Sequence, residues 1–174
     1  MVSTMLTTGE GSDMVAHRRK VHFLASVTSL DEAALAMSAG ADLIDCKDPA
    51  SGALGALPTE TVRLVAASLT HSMSPARLSA TIGDVPADGG AWASAASAMA
   101  TAGADYVKIG MFPDGDLRAA IADVGRARLG RTRLVGVLLA DRGPDISLVS
   151  AMAEAGFAGV MLDTSDKSGT SLTD

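Results

Sequence analysis

Aromatic side chains are scarce: one tryptophan, one tyrosine and three phenylalanines make up 3% of 174 residues. A surface that stacks single-stranded nucleic acid needs several such rings, so that class of function is disfavoured. Positive charge is also in deficit. Fourteen Lys and Arg face twenty Asp and Glu, a formal net charge of -6. Such a chain repels a phosphate backbone as a whole, and no nucleic-acid partner is expected. A small anionic substrate stays open if the few lysines gather in one pocket.

Cysteine occurs once, at Cys46. No intramolecular disulfide can form, and a reducing, cytoplasmic setting is expected. No apolar run reaches the roughly 18–20 residues of a membrane helix, so no membrane partner is expected either. Residues 1–20 place their basic cluster, His17 to Lys20, after a polar stretch, the reverse of a secretory leader. They are expected to form a flexible extension, or to precede a true start near Met14. His17, His22 and His71 are scattered without metal-ligand spacing, so surface or structural roles are expected. No metal or cofactor is called for. The Gly-rich dinucleotide fingerprint is missing after the first strand.

What is present is a chain with 48% hydrophobic and 20% charged residues, enough for one core built mainly from Ala, Val, Leu, Ile and Met. Apolar runs at 21–27, 41–47, 77–84, 104–110, 133–141 and 157–163 read as strands. Helical patterns fill 30–40, 59–69, 91–103, 114–130 and 145–156. In the first of these, Ser29 or Asp31 is a candidate cap, and Leu30, Ala34 and Met37 share a face. Pro58 is expected at the first position of the second helix, and Gly125 inside the fourth, at a mild cost.

Strict alternation of short apolar strands and amphipathic helices implies a parallel sheet, covered on both faces or closed into a barrel. Three segments echo one another: SAGADLIDCK, TAGADYVKIG and EAGFAGVMLD each run from a helix-ending Ala-Gly into a strand that ends in charge. They occupy the second, fourth and sixth units. In a (β/α)8 barrel, alternate strands share interior layers, and active sites lie at the strands' C-terminal ends. Lys47, Lys108 and Asp163 should therefore converge. The fold expected for residues 21–174 is α/β, a TIM-like (β/α)8 barrel truncated after its sixth strand. Either the copy is incomplete, or the natural chain continues, or a homo-oligomer supplies the remaining strands.

Asp45 and Lys47 share a strand face by the period of two. Tyr106 and Lys108 alternate with Val107 and Ile109 in the same way. Asp163 ends the sixth strand, and Lys167 follows four residues on. Taken singly, a lysine at a strand end usually reaches for solvent, and an aspartate there usually caps a turn. Together they suggest other chemistry. Neighbouring cations and partial burial favour the neutral amine that attacks a carbonyl. The remaining lysines would hold phosphate or an enolate, and the aspartates would move protons. Asp84, at the end of the third strand, either orients a lysine within the substrate site or caps the turn before Pro86. The Gly-rich loop GALGALP is flexible enough to close over a ligand. Cys46 points away from Asp45 and Lys47, which implies burial under the helices. Schiff-base carbon–carbon chemistry on a phosphorylated aldehyde or ketone is the class indicated. A different Schiff-base aldolase, a phosphosugar isomerase and an inactive barrel fragment are the alternatives.

The segments DCKDPASGALGALP, SATIGDVP, ADYVKIG and MLDTSDKSG, in that order, resemble the (5-formylfuran-3-yl)methyl phosphate synthase family, also called 4-(hydroxymethyl)-2-furancarboxaldehyde-phosphate synthase. The resemblance covers residues 21–174. It implies a TIM-like barrel and a lyase that joins two molecules of glyceraldehyde 3-phosphate into a furan aldehyde phosphate, losing phosphate and water, for methanofuran or methylofuran. It implies Lys47 as the Schiff-base lysine and Lys108 as the proton-transfer residue. Asp45, Asp163 and Lys167 match the other charged positions of the family site. The small-molecule partner it implies is a phosphorylated triose. Ser168 stands after Lys167 where the family tends to have an acidic residue.

Overall fold

The computed structural model describes residues 21–165. The expected extension at 1–20, with His17, lies outside the described residues, and so does Lys167. Six strands alternate with five helices: β1 (Leu24–Val27), α1 (Leu30–Ser38), β2 (Leu43–Cys46), α2 (Thr59–His71), β3 (Arg77–Thr81), α3 (Gly89–Ala102), β4 (Tyr106–Gly110), α4 (Leu117–Val124), β5 (Arg133–Leu139), α5 (Leu148–Glu154) and β6 (Gly159–Asp163). The strands form one parallel sheet in the order β1-β2-β3-β4-β5-β6. Each helix returns the chain to the strand beside the last, so every unit repeats the same turn and the sheet curls.

The period of two along each strand sorts the side chains onto two faces. Outward-facing Ile44, Cys46, Leu78, Ala80, Val107, Ile109, Leu134 and Leu138 pack with the helices into the main core, around the fully buried Trp92. Inward-facing Val135, Val137, Leu139 and Met161 form a second cluster with Tyr106, Phe112 and Leu54. Leu54 comes from the loop after β2 and reaches across the mouth of the sheet. Position 136 faces outward with Leu134 and Leu138, and it is a glycine where a Cβ would collide with the Met152 sulfur of α5.

Local signals explain most element boundaries. Ser29 caps α1, its hydroxyl accepting from Glu32 N–H, and the Glu32 carboxylate accepts from Thr28 N–H, one residue before the cap, a variant of the capping box. Asp88 and Asp116 cap α3 and α4. Gly103 ends α3 in the left-handed conformation, φ 106°, which favours glycine.

Three helix details differ from expectation. In α1 the buried residues are Ala33 and Ala36, while Leu30 and Leu35 are exposed; the small side chains let the helix lie close against the sheet. Pro58 stands at the N-cap of α2, one position before the first helical residue. Gly125 ends α4 rather than continuing it. A Cβ at Gly125 would press against Ala155, which follows α5. The close approach of two helices, and not helix propensity, sets that glycine.

Candidate active site

The inward face carries the buried charge. Asp45, Lys47, Lys108 and Asp163 are 0%, 7%, 3% and 5% exposed. Charges so far from solvent persist only when they are paired and hydrogen-bonded. Both conditions hold. Lys108 Nζ donates to Asp45 Oδ2 at 2.5 Å. Lys47 Nζ donates to Asp163 Oδ2 at 3.2 Å. The second oxygen of Asp163 accepts from Thr164 N–H at 2.8 Å.

The geometry of the pairs follows from the stagger of the sheet. Asp45 is laddered to Ser79, and Ser79 to Tyr106. Yet the β4 residue that reaches Asp45 is Lys108, two residues beyond Tyr106. Continued one residue past the Cys46–Ala80 pair, the ladder row of Lys47 runs through Thr81, Lys108, Val135 and Gly159. Its partner is Asp163, four residues beyond Gly159. The offset is one residue per strand crossed. Tilted strands with a shear of eight over eight strands give that same offset. Residues level with one another around the axis therefore climb the ladder diagonally.

Asp45 is held from three sides. Ser79 Oγ donates to its Oδ1 at 2.6 Å, and Ser26 Oγ donates to its Oδ2 at 3.1 Å. Above it, Thr81 Oγ1 donates to the Gly55 carbonyl at 2.7 Å, tying the loop after β2 to the end of β3. Ser26, Ser79 and Thr81 were not singled out from the sequence. The available signal was a hydroxyl at alternate positions of strands that are otherwise apolar.

Sequence expectation and structure agree on the convergence of Lys47, Lys108, Asp45 and Asp163. Cys46 points to the helix side and is fully buried. Burial pushes its thiol up to about 12; the Asp45 charge adds to the shift and Lys108 opposes it. Asp48, the second carboxylate beside Lys47, caps the short 3-10 turn Pro49–Ser51 and accepts from Ala50 N–H and Ser51 Oγ. His22 and His71 are exposed. Asp84 corrects the expectation that it orients a lysine or caps the turn before Pro86. Its carboxylate accepts the backbone N–H groups of Ala53 and Leu54 at 2.9 and 2.7 Å. It thereby holds the loop that carries Leu54 over the site. Gly52 gives it room: its φ is 129°, and a Cβ there would run into the Asp84 carboxylate.

A curled parallel sheet of six strands with lysine–aspartate pairs at its C-terminal mouth defines a protein of the β/α half-barrel class. Solved structures share this fold. Phosphonopyruvate hydrolase with oxalate and Mg++ superposes with a TM-score of 0.61 at 19% identity, over 84% of this chain and 60% of that one. 3-Hexulose-6-phosphate synthase superposes with a TM-score of 0.54 at 18% identity, over 81% of this chain and 63% of that one.

Sequence relatives narrow the class. Residues 23–174 match the model of the 4-HFC-P synthase family, and the chain belongs to that family. A relative from Methylorubrum extorquens is 42% identical over 163 residues, covering 93% of this chain and 65% of its own length. The (5-formylfuran-3-yl)methyl phosphate synthase of Archaeoglobus fulgidus is 36% identical, covering 87% of this chain and 68% of its own. That of Methanothermobacter thermautotrophicus is 33% identical, covering 87% of this chain and 67% of its own. The chain thus spans about two thirds of the length of these relatives. Among the described residues, no helix is long and apolar enough to cross a membrane.

Proposed function

We propose that the chain acts as a lyase on glyceraldehyde 3-phosphate, joining two molecules into (5-formylfuran-3-yl)methyl phosphate for a methanofuran-type carrier. The observation that carries this reading is Lys47: a buried amine whose Nζ lies 3.2 Å from the Asp163 carboxylate, on the same strand face as the Asp45–Lys108 pair. An amine must lose its proton before it attacks a carbonyl. Asp163 is within proton-transfer distance.

In this reading one triose phosphate is isomerised to its ketone, with Lys108 moving the proton. Lys47 Nζ attacks the ketone carbonyl, water leaves, and an imine forms. The second triose loses a proton beside its aldehyde, its phosphate leaves, and an enol remains. The terminal carbon of that enol attacks the electron-poor imine carbon, which forms the carbon–carbon bond. Ring closure by a hydroxyl onto the remaining ketone, then elimination of water and of the Lys47 amine, complete the furan and free the lysine. Lys167 would contribute to the phosphate-bearing part of the site, as the resemblance implies. An eight-stranded barrel, with two further β/α units, is the architecture this reading calls for.

The test is incubation with glyceraldehyde 3-phosphate alone, following the absorbance of the aromatic aldehyde. Borohydride added during turnover should fix substrate carbon on the peptide containing Lys47. Full activity in Lys47→Ala would sink the scheme.

A further inference from the structure

The function proposed above assigns no work to Ser79. The residue is 2% exposed on an inward face whose other β5 and β6 members are mostly Val, Leu and Met. Ser26, Asp45 and Ser79 are ladder partners on adjacent strands, so their side chains stand in one row on the same face. The hydroxyls flank the carboxylate. Ser79 Oγ takes Oδ1 at 2.6 Å, and Ser26 Oγ shares Oδ2 with Lys108 Nζ at 3.1 Å. Of aspartate's two side-chain rotations, the first is confined to staggered wells, and the second, about the bond to the carboxyl carbon, is broad and sets where each oxygen points. A donor on Oδ1 settles it and leaves Oδ2 turned toward β4.

We propose that Ser79 is a positioning residue. Its hydroxyl locks the Asp45 carboxylate so that Oδ2 fixes the Lys108 ammonium at the reacting face. Ser26 assists from β1, where its exposure lets water compete. A small residue that merely filled space would need no donor. The short bond to the one oxygen that Lys108 does not use is what favours a lock.

The activity arm of the test rests on the function proposed above; the labelling arm rests on the geometry alone. Lys108 labelling is measured by reductive methylation with formaldehyde and cyanoborohydride, read by peptide mass spectrometry on folded protein. Ser79→Ala should methylate at Lys108 about three- to tenfold faster than the wild type, and Ser79→Thr, which keeps the hydroxyl, should restore protection. Should Ser79→Ala fail to fold, Ser79→Cys keeps the volume with a weaker donor and takes its place. In the furan assay, Ser79→Ala should lower kcat about tenfold with KM nearly unchanged. In an Asp45→Asn background the same change should cost less than about twofold, because the group it acts through is already altered.

Unchanged Lys108 labelling in the serine variant overturns the proposal whatever the activity. So does a full tenfold loss that persists in the Asp45→Asn background. A wild-type chain that makes no furan refutes the proposed function, and the labelling arm then decides the role of Ser79 by itself.

Discussion

Lys47 and Asp163 meet at 3.2 Å although 116 residues separate them in sequence. Lys47 directly follows β2 and Asp163 ends β6, four strands apart in the sheet order. In a flat sheet, four strand spacings amount to about 19 Å, more than a lysine and an aspartate side chain can bridge. The ion pair therefore exists only because the sheet curls, and its two ends match only because the strands are staggered. Removing Asp163 strands a nearly buried ammonium. Asp163→Asn should cost roughly 3 kcal/mol of stability by denaturant titration, and about a hundredfold in kcat if the carboxylate takes the Lys47 proton.

The Asp45–Lys108 pair makes a two-sided prediction. Lys108→Met leaves a buried carboxylate without its cation and should destabilise by about 3 kcal/mol. Adding Asp45→Asn should recover most of that loss, because no unpaired charge then remains buried. Both variants should lack furan synthesis, so stability and activity part company. Denaturant midpoints and the furan assay on the same preparations check this.

Cys46 should be silent toward thiol reagents. Its thiol is fully buried and pushed up to about 12 by burial. A raised value keeps the neutral thiol in the folded state, so at pH 8 the reactive thiolate is almost absent. Iodoacetamide should leave the native protein unlabelled and label the denatured protein completely.

The loop after β2 is tied down by Asp84 and anchored by Leu54, which is fully buried. Asp84→Ala should accelerate hydrogen exchange of the Ala53 and Leu54 amides by roughly tenfold or more, since two charge-assisted bonds are lost. Leu54→Ala should cost about 2–5 kcal/mol through the cavity it leaves.

Gly136 faces Met152 with no space for a Cβ. Gly136→Val would push Met152 off its rotamer or lift α5 from the sheet. The expected loss is about 1–3 kcal/mol, read as a lower thermal midpoint.

The order of elements was legible in the sequence because short strands and helices each carry their own period. The charged strand ends were legible too, since Asp45, Lys47, Lys108 and Asp163 interrupt apolar runs. The partners were not. Period two says that Asp45 and Lys47 share a face, and nothing local says that Asp45 meets Lys108 while Lys47 meets Asp163. Ser26 and Ser79 were missed because a serine in a strand carries no signal until its neighbour across the ladder is known. Asp84 was misread for the same reason: its partners are backbone amides 30 and 31 residues away. The apolar face of α1 was misassigned because periodicity does not say which stripe the sheet will take.

Amino-acid order by itself determined the alternation of strand and helix, the caps at Ser29, Asp88 and Asp116, and the supply of four ionisable groups at strand ends. These depend on neighbours within a few residues, where chain geometry is fixed. Only the tertiary structure decided which charges pair, that Asp84 serves the loop, and that Ser79 faces Asp45. Those outcomes depend on curl and on a stagger of one residue per strand. Both are properties of the whole sheet, set by packing and twist summed over all its strands, and no single segment contains them.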